Sequence, residues 1–491
     1  MGTISSALNM MSQTLDADQS ALNIVANNVA NANTPGYTKE TPTWQENDPI
    51  LIKGTLVGDG ATQTGAESQR DRVLLERLDQ QQQLASASGS RLTALDSIQA
   101  LFTPDSGSTS STAGDIGSDI TGFFKSFSSL EADPTDSSLR TSVLSSASTL
   151  ANDVSSAAKS LNEQRSGLDQ DAIGVVSQVN ALTGAIAQLN TQIQSISPNA
   201  DAGTLEDQRQ LDLSQLSQLI GINQVSTENN GLSITTTSGQ LLVSNGSNYQ
   251  ITSGSVSGVT HFFVGSADAT AQLASGGGSL GGDLTARDTD IPNTLASLDQ
   301  LAYSITTKTN AQNNAGTDAN GATGAAVTSS TTGAWTLDIF SPPPTLVANT
   351  ASGDTDVSGC AAAMSAVMTD PDLVTAASLG QGTGDNSNAI AMASLASQTI
   401  VNGQTPTNFY SNFVSTLGST VSNVQTENTA QTASVTQLQT QSNALSSVNL
   451  NDEAAALTTM ERSYQAASQM FAILNTVMAS VLNLGEQATV T

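Results

Sequence analysis

The sequence has very few of the residues from which most catalytic and metal sites are built. Its 491 residues include one cysteine, Cys360, and one histidine, His261. A single cysteine excludes an intramolecular disulfide framework, and a single histidine excludes most zinc sites and most histidine-based catalysis. We therefore expect a protein that is not an enzyme and that holds no cofactor and no metal ion.

Positive charge is also scarce. Fourteen Lys and Arg residues stand against 43 Asp and Glu residues, which gives a net charge of -29. Because phosphate groups are bound mainly by Lys and Arg, this balance argues against nucleic acid and anionic lipid as partners. Charged residues make up only 12% and aromatic residues 3% of the chain, and Ser, Thr, Asn, Gln and Ala take their place. We interpret the negative net charge mainly as a source of solubility.

Long apolar runs are missing as well. No run approaches the roughly 18 to 20 residues that a membrane-spanning helix needs, so we expect no membrane insertion. The first residues, MGTISSALNMM, contain no basic region and no continuous apolar stretch, and they do not read as a Sec signal peptide. A cytoplasmic protein and one exported by a route that reads an uncleaved N-terminus fit these observations equally well.

The sequence does contain an apolar seam at its N-terminal end. The spacing alternates between three and four residues, with one doubled step across Asp18, which predicts a coiled-coil helix with one polar position. The helix should end in the stretch ANNVANANTPGYT at residues 26–38, because Pro35 cannot continue it and Pro35-Gly36 suits the centre of a type II turn. Four asparagines there offer side-chain amides to the last backbone groups of the helix. The seam consists of Ile4, Leu8, Met11, Leu15, Leu22, Val25 and Val29, and the exit of Asn27, Asn28, Asn31, Asn33, Pro35, Gly36 and Tyr37.

A matching seam closes the chain. Its apolar residues follow one another at steps of three and four without exception, and Asn451-Asp452-Glu453 supplies a cap and negative charge at the start of the helix. Two narrow seams at opposite ends are expected to pack against each other, since closing a long loop adds little entropy compared with closing a short one. The C-terminal seam consists of Leu457, Met460, Tyr464, Ala467, Phe471, Leu474, Met478 and Val481.

Between these ends, changes of hydrophobic period divide the chain. Helical spacing dominates, a period of two with Ser-Gly and Asn-Gly turns marks a β insertion, and Gly, Thr, Ser and Asp crowd a later loop-rich stretch. We expect a mainly α fold with inserted β structure, in which both chain ends form a long-helix, coiled-coil-like bundle. The expected parts are an N-terminal inner segment 1–40 pairing with 446–491, a hairpin linker 41–67, a helical body 68–221 completed by 281–312 and 386–445, a β domain 222–280, and a reduced loop-rich insertion 313–385.

Four short motifs point to chemistry only weakly. Gly380 to Gly384 resembles a phosphate loop, but no lysine follows it. Asp318-Ala319-Asn320-Gly321 lacks the alternating ligands and closing glutamate of an EF-hand, so a turn is favoured. His261 is expected in a strand beside two phenylalanines, and Cys360 as a small buried residue among alanines.

The two chain ends resemble the axial proteins of the bacterial flagellum. ANNVANANTPGYT is similar to the N-terminal signature shared by rod, hook and hook-associated members. The stretch Ser447 to Leu484, with Tyr464-Gln465-Ala466 in mid-helix, is similar to the paired C-terminal signature. Internal stretches at residues 205–222, 278–288, 315–324 and 384–395 narrow the resemblance to the hook-associated members, which join hook to filament.

The resemblance implies more than composition or spacing can show. It implies export by the flagellar type III apparatus without a cleaved signal, and a cytoplasmic chaperone on the C-terminal helix. It also implies partners, namely the hook protein, a second hook-filament junction protein and the chain itself, in a ring of about eleven subunits. Members of the family often carry an aromatic pair and a large β domain after the stretch that corresponds to Asp318-Ala319-Asn320-Gly321. Here Ala325-Ala326-Val327 stands in that place, which implies that an outermost domain is reduced or missing.

Two other readings of the chain remain open at this stage. Another axial protein, of the hook or the rod, would share both end signatures. A secreted coiled-coil adhesin would share the helices and the acidic, polar composition, but it would have to bind a host surface or a membrane.

The two terminal seams are expected to be unstable on their own. Burying eight seam side chains gains less free energy than ordering about thirty backbone residues costs. We predict that amides of Ile4–Val29 and Leu457–Val481 exchange freely in the isolated monomer and become protected on assembly. Hydrogen exchange measures this directly, and strong protection of both segments in the monomer would contradict the prediction.

Overall fold

Helices form most of the protein and follow the spacing of its apolar residues. The computed structural model describes residues 2–52, 54–103, 115–197, 200–323, 337–344 and 356–487. A π-helical turn, Ala286–Asp290, joins two of the helices, and Pro371–Leu373 is a 3₁₀ turn. The helices are α1 (Gly2–Asn31), α2 (Arg72–Ala100), α3 (Ile116–Ala132), α4 (Ser137–Ile196), α5 (Thr204–Leu219), α6 (Thr270–Ala274), α7 (Gly278–Thr285), α8 (Ile291–Asn314), α9 (Cys360–Ala363), α10 (Ser387–Ser394), α11 (Pro406–Ser446) and α12 (Leu450–Gln487).

Short antiparallel strands make small sheets. The first and fourth strands pair around a small hairpin, and the insertion after α5 forms a four-stranded sheet, β5-β6-β7-β8, and a three-stranded sheet, β11-β10-β9. The strands are β1 (Glu40–Glu46), β2 (Ile50–Ile52), β3 (Thr55–Val57), β4 (Ala61–Ser68), β5 (Ile222–Ser226), β6 (Leu232–Thr236), β7 (Leu241–Ser244), β8 (Ser247–Asn248), β9 (Ile251–Val256), β10 (Val259–Val264), β11 (Ala267–Asp268), β12 (Gly316–Thr317) and β13 (Ala377–Ser378).

The hairpin turns of the β insertion fall where the sequence predicts them. Asn245 and Ser257 adopt positive φ angles of 51°, each immediately before a glycine. A positive φ at both central residues is what a type I′ hairpin turn needs, and Ser257-Gly258, with φ of 51° and 83°, provides it between β9 and β10. The Ser-Gly and Asn-Gly pairs of the sequence therefore mark true chain reversals.

Helix α4 is the longest element and passes through both hydrophobic cores. The Asp136 side chain caps it by accepting a hydrogen bond from the Ser138 amide. Its 60 residues extend about 90 Å, well beyond the heptad at Val175 to Ile196 that the sequence makes conspicuous. The first half buries residues such as Leu150 in one core, and the second half buries residues such as Ile186 in another.

The two cores correspond to the helical body and to the β insertion. The first gathers side chains of α2, α3, α4, α8, α10 and α11, with four phenylalanines fully or nearly fully buried, Phe123, Phe124, Phe127 and Phe340. The described residues of the loop-rich stretch also enter it through Cys360, Met364 and Val374. The second core lies between α4, α5, α7 and the sheets.

One buried arginine fixes the β insertion to the helical body. Arg287, 1% exposed, forms ion pairs with Asp169 of α4 at 2.6 Å and with Asp288 at 2.8 Å. Its guanidinium also lies 5.9 Å from the centre of the Phe262 ring in β10. Asp169 in turn accepts a hydrogen bond from Thr260 at 2.6 Å. Paired on all sides, this charge can be buried without a large desolvation penalty.

Within the described ranges, α4 alone is long and apolar enough to cross a membrane by length and composition, with an 18-residue window of mean hydropathy 1.3. A core helix of a water-soluble protein meets the same criterion. Since many of its side chains, Val143 and Leu161 among them, are fully buried in the cores, we interpret α4 as a core helix.

The expected fold class is confirmed. The chain is mainly α, its long first and last helices pack against each other, and small sheets and a loop-rich stretch interrupt the helical body. Residues Ala325-Ala326-Val327 lie outside the described residues, as does Trp335, the first residue of a short piece of β-type sequence at 335–340 within the loop-rich stretch. The described part of that piece forms a single bridge between Phe340 and Ala366 and no strand.

Close packing of α7 on α2 should tolerate no side chain at Gly282. A Cβ atom there would lie 2.3 Å from the Ala87 carbonyl oxygen and 2.9 Å from the Arg91 amide nitrogen. We predict that Gly282→Ala lowers the free energy of unfolding by about 1–3 kcal/mol, because backbone must shift. Chemical denaturation measures it.

The matched control is Gly167→Ala in α4, where a Cβ would meet no atom within 4 Å. It should raise the free energy of unfolding by about 0.5–1 kcal/mol through helix propensity. Equal effects of the two substitutions would show that α7 and α2 are not in tight contact.

Candidate functional site at the paired chain ends

Helix α1 ends in a type II turn, as the sequence predicts. The Tyr37 amide donates to the Thr34 carbonyl at 3.2 Å, and Gly36 between them has a φ of +79°. Only a glycine adopts that angle at the third position of this turn without strain. The Asn31 amide donates to the Asn27 carbonyl at 3.1 Å, which is the local role expected of these asparagines.

Asn28 has a different role from the one its neighbours play. It is 1% exposed and donates to the Glu40 carbonyl at 2.8 Å and to Glu453 Oε2 at 3.0 Å. Its side-chain oxygen accepts from the Tyr37 hydroxyl at 2.8 Å and from the Glu40 amide at 3.0 Å. Both donors and both acceptor positions of the amide are thus satisfied. Asn28 joins the end of α1 to β1 and to the start of α12.

A lysine in the exit loop balances the negative charge of Glu453. The Lys39 ammonium lies 2.8 Å from Glu453 Oε1, and the Glu453 side chain is only 3% exposed. The Lys39 amide donates to the Ser446 carbonyl at the end of α11 at 2.9 Å. The buried Glu453 carboxylate is therefore paired with a half-buried lysine and also accepts a hydrogen bond from Asn28, an arrangement that offsets its desolvation.

A second ionic cluster connects this loop to α5. The Thr38 amide donates to Asp207 Oδ2 at 2.9 Å, and Asp207 Oδ1 lies 2.5 Å from Arg70 Nη2. Arg70 also pairs with Glu206 at 2.5 Å. Glu206 and Asp207 lie in the first turn of α5, where the helix dipole stabilises negative charge. The exit loop is thereby held to the helical body.

The electrostatics keep the polar groups of this loop in one protonation state. Burial, and to a smaller extent the nearby carboxylates of Glu40, Asp207 and Glu453, together raise the pKa of Tyr37 to about 12. The hydroxyl therefore stays protonated and donates to Asn28 at any physiological pH. Burial, with Asp201 and Asp207 close by, also raises the pKa of Glu40 above its ordinary value.

The structure brings the two predicted seams together along antiparallel α1 and α12. Val25 and Ala467 are buried, at 3% and 7% exposure, while Val29 and Tyr464 remain exposed at 44% and 37%. The other seam residues are half-buried: Ile4, Leu8, Met11, Leu15, Leu22, Leu457, Met460, Phe471, Leu474, Met478 and Val481. Of the exit residues besides Asn28, Asn31 and Tyr37 are half-buried, and Asn27, Asn33, Pro35 and Gly36 are exposed. Incomplete burial is compatible with a pair that is only marginally stable alone, and that expectation stays a prediction.

The most buried face of α1 is rotated from the predicted seam by about one residue. Ala17, Asp18 and Ala21 are 5%, 8% and 0% exposed. The reason is a third element that the seam pattern did not include. The strands β1 and β4 also lie against α1, and the Asn47 amide of their connection donates to Gln13 at 2.9 Å. In the sequence, the small residues Ala17 and Ala21, four positions apart, were the available indication that a second element contacts α1.

A second apolar stripe on α12 faces away from α1. Met470, Ile473 and Val477 are 53%, 62% and 42% exposed. They recur at steps of three and four, each one position from a residue of the C-terminal seam, so they form a continuous face. An exposed stripe of this kind on a monomer marks an interaction surface.

Asp79 of α2 is a buried acid near this site that forms no ion pair within the described part of the chain. It is 1% exposed and its Oδ2 accepts from Gln210 at 3.1 Å and from Gln224 at 2.8 Å, whereas no described residue donates to Oδ1. Burial raises the pKa of Asp79 to about 6, against the lowering effect of the two glutamines. Asp79 could not be singled out from the sequence, because its surroundings are made by Gln210 of α5 and Gln224 of β5.

The remaining motifs have ordinary structural roles. His261 lies in β10 with Nδ1 at 2.6 Å from Asp268 Oδ2, and Cys360 is buried, which raises the pKa of its thiol to about 11. Asp318 Oδ1 accepts from the Asn320 and Ala322 amides of a tight turn. Within the described ranges no group of three or more His, Cys, Asp and Glu residues is arranged to hold a metal ion.

Two family models match the chain. Residues 106–327 match the helical domain of flagellar hook-associated protein FlgK, and residues 8–38 match the flagella basal body rod protein family. The second match covers most of α1 and its exit loop. The two matches together include the end of the chain where Asn28 lies and most of the helical body with the β insertion.

Curated relatives match over nearly the full chain. Flagellar hook-associated protein 1 of Escherichia coli is 26% identical over 98% of this chain and 100% of its own length, and that of Bacillus subtilis is 24% identical over 96% of both. The E. coli alignment spans 554 positions, so that relative carries residues this 491-residue chain lacks. The FlgK structure from Burkholderia pseudomallei, 20% identical, has the same fold over 74% of this chain and 99% of its own, with a TM-score of 0.61.

Ionised Asp79 should destabilise the folded chain. Its folded pKa of about 6 lies above the ordinary 3.8, so its contribution to stability is present at low pH and is lost as pH rises through about 6. The loss integrates to roughly 3 kcal/mol at most. We predict that Asp79→Asn raises the free energy of unfolding at pH 7.5 by about 1–3 kcal/mol and flattens its pH dependence between 4 and 7.

Chemical denaturation at several pH values, compared with the parent chain, isolates this contribution. The control is Asp96→Asn at an exposed position of the same helix, which should leave the pH dependence unchanged. A parallel loss of stability in both variants would show that Asp79 is adequately paired when ionised.

Proposed function

Because the chain belongs to the FlgK family of flagellar hook-associated proteins, we propose that it is a structural junction protein that joins the hook to the filament of the bacterial flagellum. The observation that carries this proposal is the antiparallel pairing of α1 and α12 through Asn28 and Glu453. A junction protein needs an inner element that presents the same surface in every assembled subunit, and this pair would supply one on assembly.

We propose that copies of the chain assemble side by side into a ring through this helix pair. The exposed stripe of Met470, Ile473 and Val477 would be buried between subunits, and contacts above and below the ring would be made to the hook protein and to a second junction protein. A head-to-tail contact repeated around an axis closes a ring without any unsatisfied surface. Completing the burial of α1 and α12 in this way would also supply the stability that the isolated pair lacks.

The proposed assembly assigns roles to the sequence-derived parts of the chain. Residues 1–40 and 446–491 form the inner layer, and 41–67 links it to the body 68–221, which 281–312 and 386–445 complete. The β domain 222–280 and the stretch 313–385 lie outside the contacts assigned to the ring. Nothing in this arrangement requires catalysis, and the proposed role is that of a structural protein.

Export is proposed to follow the flagellar type III route, with a cytoplasmic chaperone on the C-terminal helix. The support is physical: α12 exposes large apolar side chains along much of its length. Such a surface invites aggregation before assembly and is suited to a temporary partner that covers it.

Removing the Asn28 amide should block assembly. We predict that Asn28→Ala reduces ring formation and restores motility poorly in a strain that lacks the chain, because the buried Glu453 carboxylate loses a hydrogen bond and two backbone groups lose their partners, at a cost of about 2–4 kcal/mol. Sedimentation of purified protein and a swimming assay measure these effects.

The matched control is Asn33→Ala, five residues along the same loop and exposed, which should assemble and swim normally. Normal assembly of Asn28→Ala would contradict the proposed role of the α1–α12 link. Loss of assembly in both variants would assign the defect to the loop as a whole.

A further inference from the structure

A cleft of about 260 Å³ opens beside the exit loop. It lies between α2, α5 and the end of α11, next to the turn that carries Gly36 and Tyr37. We call it the Asp79 cleft. Five leucines line it together with polar side chains, among them the exposed Gln439 and Asn443. The leucines are Leu74, Leu75, Leu78, Leu211 and Leu445.

The cleft is negative at its buried end. Asp79 lines it, is 1% exposed, and has one carboxylate oxygen to which no described residue donates. Asp71 lines the cleft as well, and Glu76 adds negative charge nearby. The neighbouring cation, Arg70, is already paired with Glu206 and Asp207. The buried carboxylate therefore has no positive partner within the described part of the chain.

A cleft that offers leucine side chains and a buried carboxylate without a cationic partner is complementary to one kind of group. A lysine or arginine side chain has an apolar stem and a charged tip that donates hydrogen bonds. The stem would contact the leucines, and the tip would supply the cation and the donor that Asp79 lacks. Pairing would recover the free energy that burial of the lone carboxylate costs.

We propose that the Asp79 cleft is a binding site for a basic side chain of a neighbouring copy of this chain, and that Arg462 is that side chain. The choice of a second copy rests on the proposed ring assembly. Arg462 is the one Lys or Arg in the sequences of α1 and α12. It is exposed, and no ion pair within the described ranges involves it.

The position of Arg462 suits this contact. It lies nine residues beyond Glu453, about 13 Å along α12, and Glu453 in turn marks the level of the exit loop. A neighbouring copy displaced by about two and a half helical turns along the pair brings its Arg462 to the level of the cleft. The contact is heterologous, joining two different surfaces, and so is compatible with a ring.

The first experiment tests the site in the full-length monomer, without assembly. The probes are n-butylammonium and n-propylguanidinium, with 1-butanol as the uncharged counterpart, and the readout is methyl NMR of labelled leucines. We expect millimolar dissociation constants for the cations and shifts confined to the leucines of the cleft, Leu74, Leu75, Leu78, Leu211 and Leu445. Asp79→Asn should weaken both cations about tenfold or more.

Equal binding by Asp79→Asn, equal binding of 1-butanol, or shifts spread over other leucines would overturn the site. Because Asp79→Asn is expected to be at least as stable as the parent chain, loss of binding would not reflect unfolding. The result is independent of ring formation, so a protein that fails to form rings would still decide whether the cleft binds a cation.

The second experiment tests the assigned occupant by a double-mutant cycle in the assembly reaction. Asp79→Asn and Arg462→Gln should each slow or weaken assembly by a similar factor, and the double variant should be no worse than either single one. Lys125→Gln, an exposed cation on α3, is the control and should assemble normally. Multiplicative effects of the two substitutions, or no effect of Arg462→Gln, would overturn the assignment of Arg462.

Discussion

The buried Asn28 amide, supported by the Lys39–Glu453 ion pair, holds the two ends of this chain together. Asn28 makes four hydrogen bonds within 3.0 Å, to Glu40, Tyr37 and Glu453. The geometry of α1, β1 and α12 depends on it, because each contributes a polar group that would otherwise be buried without a partner. Through Thr38 and Asp207 the same loop is held to the helical body. The inner helix pair therefore has a fixed position relative to the rest of the subunit.

The link at Asn28 is polar, whereas the contact between the two helices is apolar but incompletely buried. The α1–α12 contact buries Val25 and Ala467 but leaves Val29 and the stripe around Ile473 exposed. Hydrogen-bonded buried groups fix one alignment strongly, since any slip would leave donors and acceptors unpaired. Incomplete apolar burial leaves surface for other subunits. Repeated assembly requires both features: a precise alignment of α1 with α12 and an apolar surface that other subunits can cover.

Much of the fold could be predicted from local sequence. The end of α1 at Pro35-Gly36, the hairpin turn at Ser257-Gly258 and the seams of the terminal helices all follow from backbone preference or from periodicity. The full extent of α4 could not, because the charged and amide side chains around Gly167, at residues 162–171, carry no apolar pattern. The buried face of α1 was also misplaced by about one residue, since the packing of β1 and β4 on that helix is not encoded in its own periodicity.

By itself the sequence determined the class of the fold, the pairing of its ends and the absence of residues for common catalytic and metal chemistry. Only the tertiary structure decided which polar groups meet. Asn28 and Glu453 are 425 residues apart, and Arg70 and Glu206 are 136 apart. Short-range spacing constrains turns and helix faces, but a buried hydrogen bond or ion pair depends on the complete three-dimensional surroundings of both groups. For the same reason the isolation of Asp79 is visible only once α5 and β5 have closed over it.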